Sequence, residues 1–285
     1  MSRTPFPTLS VQPEGTGELS REEGNSVSFS LVVLGESLCF DVAVNRRSAR
    51  LQDMVPLART VASRISRATT DSLERAGRTI ACTKGCHACC GYMVALSVPE
   101  VFRLRQDVQD MPVWQREIIL RQSVESAGRI LDRRPSRTIG GVGERTDARI
   151  TVNRISRWYG RLGLPCVFLS DGTCTVYSDR PLVCREHLVE GASESCDLRS
   201  SEMPQVVRQP VSVVEAFARL TSELEGLPIE SIMLPFALAW AQDNVKRSER
   251  TWPALQMVER FFAILNGMTL ENAPTDTPAA PLCCR

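Results

Sequence analysis

The stretch Cys82-Thr83-Lys84-Gly85-Cys86-His87-Ala88-Cys89-Cys90 puts four thiols and one imidazole within nine residues. Downstream, Cys166, Cys174, Cys184, His187 and Cys196 form a second window. Together the windows hold eight of the eleven cysteines and both histidines. Cysteines placed only for core packing would not gather every histidine beside them. Thiolate and neutral imidazole are the ligands of zinc, iron and iron–sulfur sites. The pattern predicts a metal or cluster site assembled from two distant segments of a mainly α chain.

In the first window, the spacing Cys82-x3-Cys86-x2-Cys89 is short enough for thiolates to converge on one centre. Adjacent Cys89 and Cys90 point apart in most backbone conformations. One of them therefore serves a second metal, a bridging position or redox chemistry. His87 is a candidate ligand or a hydrogen-bond donor to a thiolate, with a solvent-facing ring as the alternative. In the second window, Asp171-Gly172 between apolar runs signals a hairpin. A two-residue loop would pair Cys174 with Leu169 and put Cys166 and Cys174 on opposite faces. A three-residue loop would pair Cys174 with Phe168 and give both thiols one face, and shared ligation predicts this second form. Pro181 is suited to start a helical turn. Cys184 and His187, three residues apart, would then share a helical face. Arg180 and Arg185 bracket Cys184, where guanidinium groups would offset thiolate charge; ordinary surface arginine is the alternative.

Working outward, residues 1–25 read as a disordered lead-in, rich in Pro, Gly and polar residues. Residues 26–45 read as a β-hairpin appendage. Val27, Phe29, Leu31 and Val33 share one parity, and Leu38, Phe40, Val42 and Val44 share another across Gly35-Glu36-Ser37. Cys39 falls on the opposite face. Residues 46–268 read as a helical cysteine-cluster domain with its motif core at 78–200. Its first helix spans about 53–76 and stops at Gly77. Ser97 and Glu100 form a capping-box pattern before the next helix. A further helix from about 112 to 131 carries Val113, Ile118, Ile119 and Val124 inward. Residues 134–146 are a Gly-rich loop without the setting of a phosphate loop. Helices follow over 147–162, 211–226, 229–244 and 252–267, with Leu234 and Pro235 expected to start or kink the one over 229–244. Residues 269–285 form a flexible tail ending in Cys283-Cys284-Arg285.

The bulk numbers exclude several classes. A net charge of +1 gives no strong field for nucleic acid or an anionic membrane. The apolar run near 31–34 is too short to span a bilayer. Two histidines, both inside cysteine windows, leave nothing for a Ser/His/Asp triad. Met1-Ser2-Arg3-Thr4-Pro5 leads into polar sequence, so the expectation is a reducing, cytoplasmic compartment in which cysteines do metal or redox chemistry. The odd cysteine count also prevents complete intrachain pairing. A protein partner stays open.

These motifs resemble the CxxCxxCC cysteine-cluster family, also called the YkgJ family or "putative zinc- or iron-chelating domain". The resemblance rests on Cys82–Cys90, its sequel Val94-Ala-Leu-Ser-Val-Pro-Glu-Val101, and the run Cys166–Arg185. The family's eight cysteines map onto Cys82, Cys86, Cys89, Cys90, Cys166, Cys174, Cys184 and Cys196. The chain departs from the family name in having three residues between Cys82 and Cys86. The resemblance implies a metal chelator; some relatives are flagellin lysine methylases with an iron–sulfur cluster. Three functions follow as expectations. The first is an iron–sulfur, otherwise iron or zinc, centre with redox or catalytic chemistry. The second is a structural zinc module supporting a protein-interaction domain. The third is a metal carrier with Cys283-Cys284 as a transfer arm. Whether the chain is an enzyme is not decided by these residues.

Overall fold

A computed structural model of the chain describes residues 10–12, 25–133, 148–197, 200 and 204–272. Most of the predicted lead-in, the Gly140-Gly141-x-Gly143 run and Cys283-Cys284 lie outside the described residues. In chain order the elements are β1 (Ser10–Gln12), β2 (Asn25–Val33), β3 (Glu36–Val44), β4 (Ser48–Ala49), α1 (Val55–Arg75), β5 (Ala95–Ser97), α2 (Val98–Gln109), α3 (Val113–Asp132) and α4 (Ala148–Arg161). Then come β6 (Leu169–Ser170), β7 (Thr173–Cys174), α5 (Leu182–Glu186), β8 (Leu188–Glu190), β9 (Gln205–Val207), α6 (Val213–Glu225), β10 (Ser231–Met233), α7 (Ala237–Asp243), α8 (Val245–Ser248), β11 (Trp252–Pro253) and α9 (Ala254–Asn272). The fold is mainly α, with short antiparallel strand pairs.

Strands β2 and β3 pair antiparallel from Asn25↔Val44 to Val33↔Glu36, and β1 adds to the free edge of β3. Alternation decides which face is buried: Leu31, Val33, Phe40, Val42 and Val44 are inside, and half-buried Cys39 is on the other face. That face packs on α1, α6 and α9 in one apolar cluster. Phe29 stacks on Phe262 of α9 with ring centroids 4.3 Å apart. The hairpin thus covers the core. Its loop is Leu34-Gly35, with both residues at positive φ, rather than Gly35-Glu36-Ser37. Such a two-residue turn matches the right-handed twist of the strands.

Helix α1 buries Val55, Ala58, Val61, Ala62, Ile65 and Ala68, as its spacing predicts. It stops where Gly77 takes φ +76°. The Arg78 N–H then donates to Leu73 O at 3.0 Å and the Gly77 N–H to Glu74 O at 2.9 Å. This double closure satisfies the last carbonyls and turns the chain sharply into the first cysteine window.

A second apolar cluster gathers α2, α7, β5, β10 and the Val167-Phe168 step of the second window. Here the helix predicted over 229–244 is shortened, starting at the Leu234-Pro235 step as one of its two expected forms had it. Ser231–Met233 is a strand paired with Ala95–Ser97, and α7 begins only at Ala237. Pro235 is the reason: it lacks an N–H and biases the preceding residue towards extended backbone. The inward face predicted for α3 is also corrected. Ile119, Ser123, Ser126 and Ile130 are buried, whereas Val113 and Val124 are 58% and 72% exposed.

Candidate metal centre

The first window contains no helix or strand. It is a succession of turns, with Cys86 N–H on Thr83 O, Cys90 N–H on His87 O and Tyr92 N–H on Cys89 O, at 2.9–3.1 Å. Gly85 holds φ +96°, a conformation that costs a residue with a Cβ far more. Backbone bonds fix both ends of the window to the second one. At its start, Ala81 N–H donates to Val189 O at 2.8 Å and Gly191 N–H donates to Thr79 O at 2.9 Å. At its end, Cys166 N–H donates to Cys90 O at 2.8 Å. The two windows therefore fold together.

The second window begins with a tight turn in which Leu169 N–H donates to Cys166 O at 3.0 Å. The hairpin then closes through Asp171 (φ +47°) and Gly172 (φ +72°), pairing Leu169 with Cys174. This is the two-residue loop, and the three-residue form predicted from shared ligation is overturned. The parity argument fails because Cys166 is not on the strand. The turn at Cys166–Leu169 carries it back to the Cys174 side, where the two thiols interact.

Helix α5 is held by buried polar groups. Glu100 in α2 accepts the Leu182 N–H at 2.8 Å on one carboxylate oxygen. On the other it accepts Ser97 N–H and Oγ at 3.1 and 2.8 Å, completing the predicted capping box. Arg59 in α1 bridges Asp107 and Asp179, each at 3.1 Å. Arg185 donates to Ser63 Oγ at 2.7 Å, to Arg180 O at 3.0 Å and to Ser178 O. Glu186 accepts Val214 N–H and Ser212 Oγ, each at 2.9 Å, at the start of α6. Burial pushes the Glu186 carboxyl up to about 7. The helix ends at Glu186, so His187 sits at its C-cap in extended backbone rather than sharing a helical face with Cys184.

The two arginines thus divide their work. Arg185 is buried and occupied with hydroxyl and carbonyl oxygens. Arg180 lies over the Tyr177 ring at 4.5 Å, and its charge favours the thiolate forms of Cys82, Cys89 and Cys184.

The thiols interact across the windows. Burial pushes Cys184 well up, and neighbouring Cys166 and Cys89 add to that. Burial raises Cys166 to about 11, with Cys174 and Cys89 contributing, while the Phe168 N–H opposes. Cys89 is raised first by its contact with Cys90, then by burial. Cys82 and Cys196 are raised by burial and by each other's neighbours, Cys86 and Cys89. Two backbone N–H groups aim at sulfur: Val189 to Cys82 Sγ at 3.3 Å, and Phe168 to Cys166. Cys89 is the thiol that Cys82, Cys90, Cys166, Cys184 and Cys196 all interact with. Without a cation, thiols so arranged stay protonated; a metal ion reverses the preference and deprotonates them.

The histidines differ. His87 is exposed and lies over the hairpin tip, where a Cβ on Gly172 would meet its Cε1 at 3.5 Å. The His187 ring is set edge-on to Tyr92, centroids 5.7 Å apart. Its Nε2 is buried without a hydrogen-bond partner among the described residues, and burial pushes its pKa down. A neutral imidazole with an orphaned buried nitrogen has the chemistry of a metal ligand. In this conformation, however, no three or more His, Cys, Asp or Glu side chains among the described residues stand in an arrangement that could hold a metal ion. An open cleft of about 1030 Å³ lies over the first window, lined by Cys86, His87, Arg161, Glu194 and Asp197.

Sequence reasoning missed Tyr92, Arg59 and the reach of Glu100. The Glu100 signal was half present, because a capping-box glutamate has a second oxygen to offer. Arg59 gave no local signal, since its partners are 48 and 120 residues away.

Two cysteine-rich segments, far apart in the chain, are thus joined by backbone hydrogen bonds. Residues 81–203 match the family model CxxCxxCC, described as a "putative zinc- or iron-chelating domain". The match spans both windows. No curated protein and no solved structure matches the chain. Among the described residues, no helix is long and apolar enough to cross a membrane.

Proposed function

We propose that the protein carries one metal centre built jointly by both windows. Its ligands are drawn from Cys82, Cys86, Cys89, Cys90, Cys166, Cys174, Cys184 and Cys196, with His187 as the nitrogen donor. The observation that carries this reading is the bond from Cys166 N–H to Cys90 O, which locks the end of one window to the start of the other. An iron–sulfur cluster is our first reading, since cysteine thiolates are the usual ligands of such clusters. Such a group would supply one-electron or Lewis-acid chemistry. Arg180 offsets the negative charge of the thiolates, and the N–H groups of Val189 and Phe168 hold two sulfurs as acceptors. The cleft beside Cys86 gives a reactant access to the centre. His87 lines it as an exposed imidazole. A reducing, cytoplasmic setting suits a centre built from thiolates.

A structural zinc module is the second reading. It is favoured by the turn-only backbone of the first window, which apolar burial alone holds weakly. Anaerobic purification, metal and acid-labile sulfide analysis and an absorption spectrum of one sample decide between them. Iron with sulfide and a broad visible band support the cluster. Stoichiometric zinc with no visible band supports the module. A preparation that holds neither metal after reconstitution overturns both.

A further inference from the structure

Helix α3 turns an unusual face to its own core. The buried side consists of Ile119, Ser123, Ser126 and Ile130. The Ser123 hydroxyl is satisfied by donating to Ile119 O at 2.8 Å. The outer side carries Val113 (58% exposed), Leu120 (42%), Val124 (72%) and Leu131 (54%). At 3.6 residues per turn these four fall within about 40° of one another, a stripe about 27 Å long. Their spacing of seven, four and seven residues is the repeat of a helix-pairing seam. Beside its middle runs a groove of about 480 Å³, with Leu120 and Val124 on one wall and Phe236 and Leu238 on the other.

The length of the stripe decides the kind of occupant. A small apolar molecule filling the groove would leave Val113 and Leu131 in water, because neither lines it. A helix laid along α3 covers all four. The order of residues then points to which helix. About a twofold axis beside Gln122, an antiparallel copy sets Leu120 against Val124 and Val113 against Leu131. The small Ala127 meets Glu117, leaving that carboxylate room to turn outward. Exposed Arg121 comes within a turn of Glu125 of the other copy, and the twofold repeats the pair. Self-complementarity of this kind is what an isologous interface requires.

We propose that α3 is a dimerisation helix, pairing antiparallel with α3 of a second copy of this chain. Sedimentation equilibrium of the full, metal-loaded chain over roughly 1 to 100 µM tests this. A dimer is expected. Val124→Glu shifts it at least about tenfold towards monomer, with metal content and far-ultraviolet dichroism unchanged, since the side chain is mostly exposed. Arg121→Glu also weakens the dimer, and adding Glu125→Arg to the same chain restores it. A wild-type chain that stays monomeric overturns the proposal, as does a dimer indifferent to Val124→Glu or a charge swap that fails to restore pairing. Because metal content is read on each sample, loss of the centre is distinguished from loss of the interface.

Discussion

The hairpin half of the molecule and the cysteine layer solve the same problem by opposite means. In the first, β2 and β3 close over α1, α6 and α9, and Phe40, Phe217, Phe261 and Phe262 are 0–1% exposed. Side chains of this size each contribute about 1.5–3 kcal/mol on burial. In the second, turns join a few short elements, and all the described thiols of the two windows but Cys196 are half-buried. Its order comes from long-range polar contacts, such as Glu100 on Leu182 N–H and Arg59 on Asp179, added to the packing of a few side chains such as Val167, Phe168 and Leu182. One half is complete as it stands. The other is arranged so that a cation adds what packing does not.

Removing the metal should therefore produce the largest and most uneven effect. After anaerobic chelation, hydrogen exchange is expected to rise by orders of magnitude over 79–92 and 166–197. Protection in α1, α6 and α9 should persist. Uniform loss of protection would mean that the two halves are one cooperative unit, and the comparison would fail. Phe262→Ala attacks from the other side. It removes the ring that stacks on Phe29 and packs on Phe40, and should cost about 3–5 kcal/mol in denaturant unfolding. Metal stoichiometry of the folded protein should not change.

Glu100 lies where the halves couple, and it gives an intermediate effect. Glu100→Ala leaves the buried N–H groups of Ser97 and Leu182 without their acceptor, at a cost of about 2–4 kcal/mol. Burial raises the Glu100 carboxyl above the ordinary carboxylate range, against the opposing pull of those N–H groups. A group raised in the folded state contributes stability at acid pH that is lost as pH climbs through its folded value. Unfolding free energy of wild type should thus lose this share on going from acid towards neutral pH. Glu100→Gln, which cannot ionise, should lack that slope. An identical slope in both proteins would assign the pH dependence to another group.

The legible parts of this chain were those governed by local rules. Strand alternation placed Phe40 and Val42 inside, Gly77 ended α1, and Ser97 with Glu100 opened α2. Clustering of the cysteines pointed to two windows that fold together, as the Ala81–Val189 and Cys166–Cys90 backbone bonds have it. What was not legible depends on what a residue meets far along the chain. The periodicity of α3 supports two apolar faces, and only the neighbours choose which is buried. Pro235 marked a helix start or kink, but that Ser231–Met233 before it becomes a strand depends on the edge β5 offers. Arg180 and Arg185 look equivalent in sequence; Ser63 and Ser178 claim one and leave the other to the thiols.

The two hairpins sharpen the comparison at its smallest scale. Each closes through a two-residue loop with positive φ at both positions: Leu34-Gly35 in the apolar half and Asp171-Gly172 in the cysteine layer. The second uses the residue types such a turn favours. The first puts leucine where a left-handed backbone costs about 1–2 kcal/mol. Leu34 is 53% exposed, so its side chain gives little packing in return. The burial of Phe40 and Val42 holds this turn in place, whereas the cysteine hairpin depends on its turn. Leu34→Asn, which makes Asn-Gly, should stabilise the protein by about 0.5–1 kcal/mol, read as a rise in denaturant midpoint at constant slope. Asp171→Leu should cost a similar amount, but in the cysteine layer, where it should appear as weaker metal retention before it appears as global unfolding. If Leu34→Asn is neutral and Asp171→Leu leaves metal retention unchanged, neither loop is set by its turn residues, and the contrast between the halves does not extend to their hairpins.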